Sequence, residues 1–152
     1  MTADQIIKML DLTPHPEGGF YRQTWQEPAA DRASMTMIYF LLTDQQRSHW
    51  HRVDATEFWL FHAGDPLVLS ISETDAGPAT EHVLSSDLSR GAPQVRVPTD
   101  HWQSARTTGA WSLVSCAVSP GFEFSGFTLA APDFDIKGAP DGSQNRSGRA
   151  IL

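Results

Sequence analysis

The chain has 152 residues, and 18 acidic against 11 basic side chains give a formal net charge of −7 with histidine neutral. A single cysteine, Cys116, allows no internal disulfide, and the longest apolar run, Met37 to Leu42, is far below the roughly 20 residues of a membrane span. The acidic balance opposes the counterion release behind nucleic-acid affinity. One domain with its own core is expected, in the cytoplasm, with neither a membrane nor nucleic acid as partner.

Thr2-Ala-Asp-Gln5 has the spacing of a capping box, and Ile6, Ile7 and Leu10 follow on one helical face, so a short helix is expected over residues 3–11. Pro14, Pro16, Gly18 and Gly19 end it and lead into an extended chain. Short β-branched and aromatic runs then follow at residues 20–25, 35–42, 57–62, 67–71, 81–84, 94–97, 111–118 and 122–129, with Gly, Pro, Asp and Ser clusters between them. Many short strands separated by turn signals predict an all-β sandwich, jelly roll or small barrel. Residues 1–136 read as a single domain. From Lys137 on, aromatic side chains are lacking and aliphatic ones almost so, and residues 137–152 read as a flexible C-terminal tail.

The densest polar stretch is Ser48-His-Trp-His-Arg52, followed by Glu57. On an extended chain His49 and His51 point to one face, and with Glu57 they form a candidate set for a divalent transition metal. His101 is a further candidate ligand beside Gln103.

The run His49-x-His51, Glu57, Gly64 resembles the first motif of the cupin superfamily. Pro98 to Gln103 is similar to a degraded second motif, with Asp100 where a Gly belongs and Gln103 where a His ligand belongs. Together with Leu12 to Phe20, Glu57 to Trp59, Ala63 to Pro66 and Ser115 to Phe124, these residues resemble a cupin branch of unknown function, similar in fold to sugar-nucleotide 3,5-epimerases. The resemblance implies a cupin double-stranded β-helix (jelly roll) with a short N-terminal helix, a homodimer, and a pocket between the sheets holding His51, Glu57 and Gln103. Gln103 and the longer spacing between His51 and Glu57 both weaken a metal site.

The same residues serve without a metal. Burial would set His51 as an acid/base with Glu57 orienting it, while Gln103, Tyr39, Trp59, Trp102 and Arg22 would bind a small polar ligand. An epimerase or isomerase acting on a sugar-like metabolite is the first expectation, a non-catalytic binding module the second, and a metal-dependent oxygenase or isomerase the third. Pro14 to Gly19 reads as turn chemistry with His15 and Glu17 in solvent, although the resemblance would bring Glu17 near a pocket mouth. Cys116 reads as a buried small hydrophobe.

Overall fold

Thr2 accepts the Gln5 backbone N–H at 3.2 Å while the Gln5 side chain accepts that of Thr2 at 2.9 Å, which closes the capping box of α1 (Ala3–Leu10). This computed structural model describes residues 1–140. Ile6 is the helix's buried residue, and it packs with Leu12 and Leu41 on the outside of a sheet.

The strands are β1 (Thr13–Pro14), β2 (Phe20–Gln26), β3 (Thr36–Thr43), β4 (Ser48–Val53), β5 (Thr56–Gly64), β6 (Leu67–Ser72), β7 (Thr80–Leu84), β8 (Gln94–Val97), β9 (Trp102–Thr107), β10 (Trp111–Ser119) and β11 (Phe127–Leu129). They form two antiparallel sheets in the orders β1-β2-β3-β10-β5-β8 and β11-β4-β9-β6-β7. The period of two sends Phe40 and Leu42 of β3, Trp59 of β5, Leu67 and Leu69 of β6 and Val114 and Cys116 of β10 into one buried cluster between the sheets. The expected all-β jelly roll with an N-terminal helix is what the chain forms.

Three details differ from expectation. Trp-Gln-Ser-Ala-Arg-Thr lacks a branched run, yet it forms β9, because β4 and β6 pair with its two edges. The run expected at 122–129 is broken: Thr36 Oγ1 takes the Phe122 N–H at 2.8 Å, a 3-10 turn follows at Phe124–Gly126, and only β11 pairs. Lys137 and Gly138 remain joined to the domain, with the Ala79 N–H donated to the Lys137 carbonyl at 2.9 Å. Most of the expected tail, residues 141–152, lies outside the described residues. Among the described residues no helix is long and apolar enough to cross a membrane.

Candidate functional site

A bulge in β4 sets the site's geometry. Ser48 pairs with Ala105 and His51 with Gln103, so three steps on β4 oppose two on β9. One residue is therefore extra, and Ser48 and His51 both face the interior. The expected convergence of His49 with His51 fails for this reason. His49 instead directs Nε2 to the Ala131 carbonyl at 2.8 Å, while its own carbonyl accepts from His51 Nδ1 at 2.7 Å.

The second part comes from the segment read as a solvated turn. The Gly18 N–H donates to the His15 carbonyl at 3.0 Å and the His15 N–H to the Gly19 carbonyl at 2.9 Å, folding the chain back on itself. Gly18 has φ +104°, and a Cβ there would collide with the Arg47 carbonyl oxygen. The Glu17 carbonyl accepts the His49 N–H at 2.8 Å, which binds the turn to the bulged strand. Glu17 is thereby 8% exposed, and the expectation of a solvated carboxylate is overturned. Ser48 Oγ donates to Glu17 Oε1 at 3.1 Å, and Glu17 Oε2 lies 3.1 Å from His51 Nε2.

That last contact is close enough for an ion pair, but burial decides otherwise. Taking both groups out of water pushes the Glu17 carboxyl well above the usual carboxylate range, with the nearby Glu57 adding to the rise, and pushes the His51 imidazole down to about 4. Both shifts favour a neutral pair, in which the Glu17 carboxyl donates to His51 Nε2 while the His49 carbonyl holds the imidazole proton on Nδ1.

The partner of His51 is thus Glu17, and Glu57 belongs to a different chain of bonds. Trp59 Nε1 donates to Gln103 Oε1 at 2.8 Å, and Gln103 Nε2 donates to Glu57 Oε2 at 2.7 Å. The indole N–H occupies the amide oxygen, so Gln103 can only present its NH₂ to the carboxylate. Burial raises Glu57 to about 7, against the opposing bonds from Gln103 and the Cys116 thiol. Cys116 is buried, as expected, and burial raises its thiol well above the ordinary range.

Glu17, His51, Glu57 and Cys116 line a cavity of about 60 Å³ between the sheets, with Tyr21, Phe122 and Phe124 among its walls, whereas Gln103, expected in the pocket, is not part of its lining. A cavity of this size admits several waters or a small ligand. His15 also lines it, its ring set edge-on to Tyr21 at 4.5 Å, and desolvation lowers it to about 4. Glu17 and His15 are the residues that sequence reasoning placed in solvent. The signal available was their position beside two glycines, where a reversal can turn a side chain inward as readily as outward.

Of the ligand-binding candidates, Gln103 and Trp59 stand in the bonded set around Glu57. Tyr39 and Arg22 lie on the outer face of the helix-bearing sheet, the guanidinium 5.6 Å from the Tyr39 ring centre, because β2 sends Tyr21 inward and Arg22 outward. Trp102 packs with Trp50 and Ile136 in a separate cluster, with Arg52 over its ring. His101 sits in the turn before β9, with Nδ1 3.2 Å from the Thr99 carbonyl. Asp100, where the second cupin motif has glycine, adopts φ +62°, a left-handed conformation that Asp tolerates better than most residues.

The metal set expected from the motif, His49, His51 and Glu57, is not brought together. His49 is turned to Ala131, the inward nitrogen of His51 is bonded to Glu17, and the amide at the fourth position is bonded at both ends. Among the described residues no three His, Cys, Asp or Glu side chains form a group able to hold a metal ion. These donors do not fit the metal that the motif implies.

Two antiparallel sheets enclosing a cavity define a barrel of the jelly-roll class. The chain belongs to the Cupin superfamily (DUF985), whose family model matches residues 4–130. A protein of Shewanella oneidensis is 40% identical, with 86% of this chain aligned to 85% of that one at a TM-score of 0.81. A hypothetical protein from Leishmania major is 33% identical over 86% of this chain and 88% of its own, at 0.78. Oxalate decarboxylase from B. subtilis, 12% identical over 80% of this chain and 31% of that one at 0.61, shares the fold. No curated protein matches the sequence.

Proposed function

We propose that this protein binds a small polar metabolite in the barrel cavity and moves a proton on it, as an isomerase or epimerase of a sugar-like compound does. The observation that carries the reading is the Glu17–His51 contact at 3.1 Å between two buried groups at the wall of the cavity. Glu57 supplies the complementary group. A carboxyl raised to about 7 is populated in both forms near neutral pH, the condition under which a general base is effective.

The roles then follow. Glu57 takes the proton from a carbon next to a carbonyl, and Glu17 gives its proton to the carbonyl oxygen as the enol forms. Loss of that proton leaves the Glu17 anion facing the His51 Nε2 lone pair, so the geometry favours its return. Transfer of the neighbouring hydroxyl's proton from the enediol to Glu17 and delivery of the Glu57 proton to the former carbonyl carbon complete an isomerisation with no net change in the protein. His51 holds Glu17 in place and sets where its proton sits. This differs from the expectation of His51 as base with Glu57 as its orienter.

A second reading, a binding module without catalysis, is favoured by His51 having both ring nitrogens bonded within the protein. The test is incubation with a panel of aldoses, ketoses and hydroxy ketones in D₂O, with deuterium at carbon followed by NMR. Exchange by the wild type that is lost in Glu57→Gln supports proton transfer. Binding without exchange across the panel would replace it with the second reading.

A further inference from the structure

The cavity lining shows what charge its ligand carries. Among the described residues it holds Glu17 and Glu57 and neither lysine nor arginine. Glu17 is occupied by His51 at 3.1 Å and by Ser48 at 3.1 Å, which leaves Glu57 as the carboxylate the cavity can offer a ligand. A carboxylate or phosphate placed there would meet two acids and no counter-ion, the arrangement that makes buried charge most costly. A cation would complete the site.

Two further observations narrow the ligand. The His15 Nδ1 accepts the Glu17 backbone N–H at 3.1 Å, so a neutral ring carries its proton on Nε2. Its side chain is 5% exposed and lines the cavity, yet no described residue accepts that N–H. This donor opens on the cavity, where a ligand oxygen can accept from it. Phe122 and Phe124 form an edge-to-face pair at 5.0 Å on the cavity wall, while Phe124 remains 56% exposed. Aromatic faces beside a carboxylate suit an organic ammonium better than an anion.

We propose that the cavity takes a small amino alcohol or similar organic cation, its ammonium at Glu57, its oxygen at His15 Nε2, and its carbon body against Phe122 and Phe124. This rests on the reading of the cavity as the ligand site, and it departs from the neutral sugar-like ligand above, because an ammonium paired with Glu57 occupies the carboxylate that serves there as base.

Three probes of nearly equal size and different charge test it on the full chain by NMR titration: 2-aminoethanol, ethylene glycol and glycolate. The expected order places 2-aminoethanol at least about tenfold tighter than the other two, and Glu57→Gln removes that preference. Equal binding of the three, tighter glycolate, or no response to 2-aminoethanol up to about 100 mM would overturn the assignment. The wild-type series decides even where the variant fails to fold. Deuterium exchange on a neutral sugar by protein with no preference for the amine would overturn the cation and leave proton transfer standing. Selective amine binding without exchange on any panel would support the cation and remove the isomerase.

Discussion

Ser48 and His51 face the same side of their sheet although they stand three positions apart, because β4 carries one residue more than β9 between their pairings. Both then reach the Glu17 carboxyl, Ser48 at Oε1 and His51 at Oε2. The bulge thus decides which residues share the cavity.

A neutral Glu17 predicts that charge at this position is dispensable for folding while hydrogen bonding is not. In Glu17→Gln the amide can donate to His51 Nε2 and accept from Ser48 Oγ, so chemical denaturation at neutral pH should show a change below about 1 kcal/mol. Glu17→Ala leaves both partners buried and unpaired and should cost about 1–3 kcal/mol for each. Any deuterium exchange is lost in both, since neither can give up a proton.

Stability should depend on pH in two regimes. Burial raises Glu17, and raises Glu57 from 4.5 to about 7, so the folded state keeps protons that the unfolded chain releases, and stability falls as pH rises through that interval. Burial lowers His15 and His51 from 6.5 to about 4, so between those values the unfolded chain binds the extra protons and stability rises with pH. The two effects oppose each other between 4.5 and 6.5, and above 6.5 the carboxyls act alone. Urea midpoints should be nearly level in the first range and then decline, by up to about 1.4 kcal/mol per pH unit for each group still titrating. Glu57→Gln should flatten the decline.

The fold was legible because its signals are local. The capping box at Thr2 and Gln5 forms as spaced, and the alternation along β5 puts Glu57 and Trp59 on one inner face opposite Gln103. What escaped depends on register and reversal. The extra residue in β4 has no Gly or Pro to announce it, so the His-x-His spacing pointed to a pair that the backbone separates. At Glu17, prolines and glycines explained the turn without showing that Gly18 packs against Arg47 and carries the carboxyl inward. Tyr39 and Arg22 were misplaced by one step of a two-residue period, enough to exchange the inside of a sheet for its outside.

Gly18→Ala should disturb the site more than its size suggests. The added methyl meets the Arg47 backbone at a positive φ, and relief requires the His15–Gly19 reversal to move. A loss of about 2 kcal/mol or more is expected in denaturation, with His51 chemical shifts displaced.

Trp59→Phe should loosen Glu57 while preserving most of the packing. Without the indole N–H, Gln103 Oε1 is buried and unpaired, and the amide can turn its oxygen toward the carboxyl. The variant should lose about 1–3 kcal/mol of stability. Its deuterium exchange should fall, while Trp102→Phe, in the separate cluster, leaves exchange unchanged.

The location of one proton is central to this account, and ¹⁵N NMR of the His51 ring reads it directly. A neutral His51 with Nδ1 protonated and Nε2 unprotonated from pH 5 to neutral pH is the predicted result. An imidazolium carrying protons on both nitrogens near neutral pH would make the contact an ion pair, and the proton-transfer roles assigned here to Glu17 and His51 would be contradicted.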